Sequence, residues 1–298
     1  VLGGNVFGWT VDRDESFRVL DAFFAAGGRM IDTAEGYTSF VPGNKGGESE
    51  TIIGEWMESR GIRGDMLIGT KTGMFGSAGD LEPDKLAKAI EGSLERLRTD
   101  YVDLYYAHRD DPQTPLAEVA AGFDVLVRAG KARELGASNF TIERLTAALD
   151  AAHSGGLTPY TVLQNEYNLV ERGQYEGSWQ DLCLARGIAS MPYYGLAAGF
   201  LTGKYRTQAD LEGKSRAASV QRAGYLERGM PVLAAMDELA AETGASHAQI
   251  ALAWINAQPG IAAPIASATS LDQLSQLVKA VTLELAPEHI ERLNRAGR

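Results

Sequence analysis

The chain has one cysteine in 298 residues. A lone thiol closes no internal disulfide, and such usage fits a reducing compartment. That residue, Cys183, lies in the apolar stretch LCLARGI and reads as a buried structural thiol rather than a nucleophile. Basic residues are in deficit, with 28 Lys and Arg against 39 Asp and Glu, a net charge of -11 and a pI near 4.9. Nucleic acid and anionic membrane surfaces both call for a basic face, so neither is an expected partner, and any phosphate site must be local. No apolar run approaches 18 residues, so no bilayer span is expected, and the chain reads as cytoplasmic. The histidines, His108, His153, His247 and His289, show no HxH or HExxH spacing, and one cysteine makes no zinc cluster, so no metal is expected. There is no GxSxG elbow and no GxxxxGK[ST] loop.

What the chain does have is alternation. Short apolar runs suited to strands occur at 1–6, 29–33, 65–70, 101–107, 131–137, 160–165, 187–193 and 260–266. Helical spacing fills the intervals, as in Leu86, Ile90, Leu94 and Leu97, or Leu116, Val119, Phe123 and Leu126. Pro83 suits a first helical turn, and the acidic GESE at 47–50 suits the positive end of the second helix. Parallel strands joined by right-handed crossovers follow from such a pattern, and eight βα units predict an α/β fold of the closed (β/α)8 TIM-barrel type. The interval before the last strand is long. It predicts a large loop after the seventh strand, then helices near 230–242 and 246–257. No linker or low-complexity tract divides the chain, so a single domain over 1–298 is expected.

Active sites in a barrel of this type form where strands end. The residues there are Asp32, Lys71, His108, Ser138 with Asn139, Gln164 and Tyr193. Each alone reads more readily as a cap, a solvated charge or a packed side chain. Together they would gather at one rim, whereas chance would scatter them over both ends. A barrel without GxGxxG after its first strand does not hold a dinucleotide in the Rossmann manner, so any dinucleotide would lie extended across the rim. Ser138, Asn139 and Gln164 can satisfy a carboxamide, and Tyr193 can stack on a nicotinamide ring or serve as ordinary packing.

The segments DTAEGY (32–37), GTKTG, YYAHRDDPQTPLAE, GASNF, QNEYN and PYYGLAAGFLTGKY occur in order along nearly the whole chain. Taken together they resemble the aldo-keto reductase superfamily, most closely its bacterial branch related to the β subunits of voltage-gated potassium channels. The sequence departs from that pattern at its start, where the family's short N-terminal hairpin is absent. The resemblance implies a catalytic tetrad of Asp32, Tyr37, Lys71 and His108. A free tyrosine, with pKa about 10, is a poor acid near neutrality. A neighbouring ammonium favours the phenolate and lowers that value, Asp32 offsets the cost of burying Lys71, and His108 can polarise a carbonyl. Tyr37 is then the proton donor to the developing alkoxide.

In the family pattern Leu196 and Ala198 give backbone contacts to the pyrophosphate, and Gly4, Asn5 and Val6 form a further cofactor-facing turn. Lys204 and Arg216 match basic positions that meet phosphates in the channel-related branch, which favours NADPH/NADP+ over NADH. Arg216 in its loop also reads as a solvated charge. The last loop, IASATSLDQLSQL, offers Ser267, Thr269 and Gln273 where many relatives carry a cation. Gln273 reads equally as an adenine contact or as the capping-box partner of Ser270. Phe7, Trp9, Phe75 and Arg109 adjoin rim positions and are candidate walls of a substrate pocket. The expected reaction is NADPH-dependent reduction of a small aldehyde or ketone to an alcohol. Alternatives are a nucleotide-binding regulatory subunit with slow turnover and a reductase of a keto- or enone nucleotide sugar. Oligomeric state is left open.

Overall fold

The computed structural model describes residues 1–74 and 80–297. Phe75 therefore lies outside the described residues. Its strands are β1 (Leu2–Gly3), β2 (Met30–Asp32), β3 (Leu67–Thr72), β4 (Val102–Ala107), β5 (Ala132–Ser138), β6 (Val162–Gln164) and β7 (Ala189–Ser190). They form one sheet in sequence order, and every registered pair from β1 to β6 is parallel. Helices intervene: α1 (Arg13–Ala25), α2 (Glu48–Arg60), α3 (Pro83–Leu97), α4 (Leu116–Arg128), α5 (Ile142–Gly155) and α6 (Ser178–Arg186). After β7 come α7 (Ala217–Arg222), α8 (Tyr225–Arg228), α9 (Met230–Thr243), α10 (His247–Asn256), α11 (Leu271–Ala280) and α12 (Pro287–Ala296). Among the described residues no helix is long and apolar enough to cross a membrane.

The alternation thus yields a parallel α/β sheet, with two differences from the sequence reading. Among the described residues the sheet has seven strands. In place of an eighth, segment 260–266 makes one isolated parallel bridge, Ile261 to Ser190. Gly260, at φ 80°, turns the chain just before it, and Pro264 has no N–H to extend a ladder. The first and seventh strands are also shorter than their apolar runs, with two residues each. Gly4 still donates to Asp32 O at 2.7 Å, but from Val6 onward the backbone closes turns, with Trp9 and Thr10 both donating to Val6 O.

Contacts group the chain into two compact units. The first comprises Val1–Gln164, Ala185–Ala189 and Ser267–Leu271. Its core follows the helical spacing: Leu86, Ile90, Leu94 and Leu97 of α3 are all buried, as are Val119, Phe123 and Leu126 of α4. Every residue of β4 is buried, as befits a parallel strand covered on both faces. A Cβ at Gly136 of β5 would meet the Tyr106 ring at 2.2 Å, so glycine there lets that ring lie across the neighbouring strand.

The second unit comprises Asn165–Leu184, Ser190–Ala266 and Asp272–Arg298. It contains the expected large loop, built from short turns of 3-10 helix at Ala197–Thr202 and Gln208–Leu211 followed by α7 and α8. Cys183 is buried here, and burial pushes its thiol up to about 11. That makes it a poor nucleophile.

Candidate active site

Parallel pairing sets the C-terminal ends of β3 and β4 level, Thr72 opposite Ala107, while β2 ends three residues earlier. Asp32 of β2 sits opposite Gly69 of β3, and Lys71 of β3 sits opposite Tyr106 of β4. Because side chains alternate along a strand, Gly69 and Lys71 share one face and Thr70 and Thr72 the other. His108, one residue beyond β4, donates its backbone N–H to Thr72 O at 2.8 Å.

Lys71 is fully buried, and its ammonium finds three acceptors. Nζ donates to Asp32 Oδ2 at 2.6 Å, to the Thr33 carbonyl at 2.7 Å and to Tyr37 Oη at 3.0 Å. Burial pulls its pKa down from that of an ordinary lysine, while the charge and hydrogen bond of Asp32, and then Glu50, pull it back. Asp32, itself buried, takes a second donor at its other oxygen, where Gln164 Nε2 lies 2.9 Å from Oδ1. A buried carboxylate and a buried ammonium thus pair with further hydrogen bonds on each, the condition under which such a pair is tolerable.

Tyr37 reaches this pair from the turn after β2. Its backbone N–H donates to Ala34 O, and its ring lies under Nζ, 4.7 Å from the centroid. Its hydroxyl accepts from Lys71 and stands 3.4 Å from Asp32 Oδ2. The His108 ring meets the Tyr37 ring edge-on at 5.9 Å. His108 is buried, and its Nδ1 has no hydrogen-bond partner among the described residues. Burial first, then the charges of Lys71 and Arg109, push its pKa well below that of a free histidine. The imidazole is neutral at pH 7, so it offers an N–H without a charge. The structure therefore brings Asp32, Tyr37, Lys71 and His108 together.

The ends of β5 and β6 carry an uncharged donor set. Ser138 Oγ donates to Gln164 O, and Asn139 Nδ2 donates to His108 O and to Ser138 Oγ. Amides and a hydroxyl without formal charge fit a neutral carboxamide such as that of nicotinamide. At the start of the chain a Cβ on Gly4 would come 2.9 Å from Ser49 Oγ and 3.2 Å from Asp32 O, so only glycine lets this turn close on β2. Asn5 Oδ1 accepts from Ser267 Oγ at 2.5 Å, which ties Gly4, Asn5 and Val6 to the last loop. Thr269 is partly exposed in that loop. Phe7 is fully buried, while Trp9 is half-buried and meets the exposed Phe40 edge-on at 5.2 Å. Arg109 lies 4.0 Å from Asp80.

In the second unit Tyr193 is partly buried and makes an isolated parallel bridge to Glu166, and burial pushes its phenol up to about 12. Beyond it Tyr194, Ala197 and Ala198 all adopt left-handed φ, at 55°, 48° and 54°. Each such residue costs about 1 kcal/mol or more, and strain of this kind concentrates at functional backbone. Leu196 begins this turn. Lys204 lies beside it, since a Cβ on Gly199 would come 3.3 Å from Lys204 Nζ. Arg216 is half-buried rather than a free surface charge. Burial lowers its pKa, and the hydroxyls of Tyr194 and Tyr205 pull it back. Gln273 is exposed in the first turn of α11.

Residues 1–298 match the sequence profile of the aldo/keto reductase family. The chain belongs to that family. It is 32% identical over 96% of its length to an aryl-alcohol dehydrogenase [NADP(+)] of Phanerodontia chrysosporium, covering 76% of that protein. It is 31% identical over 98% to YrpG, an uncharacterized oxidoreductase of Bacillus subtilis (strain 168), covering 90% of it. A probable voltage-gated potassium channel subunit beta of Oryza sativa is 30% identical over 96% of the chain, with 88% of that protein covered. The kinship therefore includes both oxidoreductases and a channel subunit.

Three features of the site in this aldo/keto reductase escaped sequence reasoning. The Thr33 carbonyl is a backbone acceptor, which no residue type announces. Gln164 braces Asp32 from 132 positions away in sequence. Glu50, read as a helix-end acid, is fully buried, accepts from Thr70 Oγ1 at 2.5 Å and pairs with Arg96 of α3 at 2.6 Å. Its signal was the alternation in Thr70, Lys71 and Thr72, which sends the two hydroxyls to the side opposite the lysine.

Proposed function

We propose that this protein reduces an aldehyde or ketone to an alcohol with NADPH, Tyr37 giving the proton. The observation that carries the reading is the threefold engagement of Lys71, which joins Asp32, Thr33 and Tyr37 Oη in one buried cluster. When bound, the reduced nicotinamide supplies the hydride to the carbonyl carbon. Asp32 holds the ammonium, and the ammonium makes the Tyr37 phenol a stronger acid than free tyrosine. The phenol protonates the oxygen as negative charge grows there, and neutral His108 donates a hydrogen bond to the same oxygen. Ser138, Asn139 and Gln164 suit the carboxamide. In the second unit Tyr193 suits ring stacking, Leu196 and Ala198 offer backbone for phosphate, and Lys204 and Arg216 offer charge. Gly4, Asn5, Val6, Ser267, Thr269 and Gln273 are assigned to the remainder of the nucleotide, and Trp9 and Arg109 to the substrate wall. The parallel sheet is read as a closed (β/α)8 barrel, with 1–298 acting as one domain.

The assay is loss of NADPH absorbance with a panel of aliphatic and aromatic aldehydes, with deuterated NADPH to follow the label. Deuterium on the carbinol carbon is the expected result, and an enzyme that consumes no NADPH with any carbonyl overturns the reading. The kinship to a channel subunit favours a second reading, a nucleotide-binding regulator, which predicts tight NADPH binding with turnover too slow for steady-state assay.

Arg216 and the NADP(+) in the name of the Phanerodontia relative support the choice of NADPH. Arg216→Ala is expected to weaken NADPH binding by about tenfold or more, the worth of a charged hydrogen bond, and NADH binding by less than about twofold. Fluorescence titration with both cofactors measures the difference.

A further inference from the structure

Glu35 stands in the turn between Asp32 and Tyr37 and has no role in the chemistry above. Its side chain is nonetheless buried, and it grips the end of β3 at Lys71 and the two residues after it. Its backbone N–H donates to Lys71 O at 3.2 Å. Its Oε1 accepts from Thr72 Oγ1 at 2.6 Å and from the Gly73 N–H at 3.2 Å. Gly73 has φ 92°, a conformation that glycine allows and that ends the strand with its amide turned to this carboxyl. We propose that Glu35 is a positioning residue for Tyr37, clasping the turn that carries the acid to the strand that carries Lys71. The inference rests on the reading of Tyr37 as proton donor.

The local electrostatics show that this carboxyl is held at a cost. Burial pushes its pKa above that of a free glutamate, the Thr72 and Gly73 hydrogen bonds oppose that, and Glu50 of α2 adds repulsion that Arg96 of α3 relieves. From β4 the buried Tyr105 faces the same cluster. An apolar residue would fill the space without desolvation, but it would leave the Thr72 hydroxyl and the Gly73 amide without this acceptor. The clasp fixes the turn whose next residues, Gly36 and Tyr37, set the 3.0 Å from Lys71 Nζ to the phenol. Displacement of a reacting group by about 1 Å costs on the order of a hundredfold in rate.

The test compares Glu35→Ala, Glu35→Gln, Thr72→Val and Tyr37→Phe by kcat against pH, with NADPH affinity and melting temperature alongside. Glu35→Ala is expected to lower kcat about tenfold or more, with NADPH Kd and carbonyl KM within about twofold. Its alkaline limb of kcat moves to higher pH, because a phenol further from the ammonium keeps its proton longer. Glu35→Gln retains the acceptor oxygen and is expected to hold kcat within about threefold of the unaltered protein. Thr72→Val moves the limb the same way, and adding it to Glu35→Ala brings no further loss, since both break one contact. A folded Glu35→Ala with unaltered kcat and limb overturns the proposal, as does an equal loss in Ala and Gln with the limb unmoved. If Glu35→Ala fails to fold, Thr72→Val decides, and an unaltered limb there is equally fatal. Full turnover in Tyr37→Phe overturns the reading of the tyrosine. Lost turnover in Tyr37→Phe beside unaltered kcat in Glu35→Ala overturns the clasp alone.

Discussion

Tyr37→Phe is expected to lower kcat for carbonyl reduction by about 10²- to 10⁴-fold, the usual worth of a positioned general acid, with NADPH Kd unchanged. The substitution removes one hydroxyl and little else. The phenyl ring keeps its edge contact with His108 and its place under the Lys71 ammonium. Lys71 retains Asp32 and the Thr33 carbonyl as acceptors, so the loss of stability is about 1.5–3 kcal/mol, the worth of a hydrogen bond to a charged group. Single-turnover absorbance separates the chemical step from product release, and thermal melting checks the fold. A variant that binds NADPH, melts normally and reduces aldehydes at the original rate would show that the proton comes from elsewhere, water or His108 being the nearest alternatives.

Lys71→Met strikes harder, because it damages the fold and the chemistry at once. Asp32 would keep the Gln164 amide and the distant Tyr37 hydroxyl but lose its counter-charge while buried. Breaking one half of a buried pair costs about 3–5 kcal/mol, and turnover is expected to fall at least about 10³-fold as the phenol loses its ammonium. The two effects can be pulled apart. Adding Asp32→Asn to Lys71→Met removes the stranded charge, so denaturant midpoints recover in part while kcat stays low. Parallel recovery of stability and kcat would mean that Lys71 matters for packing alone.

Legibility from sequence followed the range over which each feature is encoded. The α/β alternation and the helices lie in windows of a dozen residues, and α9 and α10 fall within a residue or so of the expected spans. The strand ends were legible because each of Asp32, Lys71 and His108 follows an apolar run. Strand lengths were not. Apolar composition marks burial, whereas pairing depends on neighbours far along the chain, and segment 260–266 is buried in part yet makes only one bridge. Arg216 shows the converse. Its loop is rich in polar residues, so the sequence left its burial open, and only the folded chain, which half-buries it, decides it. Glu35 was hidden for a further reason. Within DTAEGY it reads as a surface acid, and its partners Thr72 and Gly73 lie some 37 positions away.

Strand β3 is read on both faces: Lys71 turns to the tyrosine, and Thr70 and Thr72 turn to two buried acids. Deleting one residue upstream in this strand would exchange the faces, because the side-chain period is two. An ammonium would then face Glu35 and Glu50, and two hydroxyls would face Asp32 and Tyr37. The frame of this one strand, counted in single residues, decides whether the Lys71 ammonium stands beside the Tyr37 phenol or pairs with the buried acids on the other face.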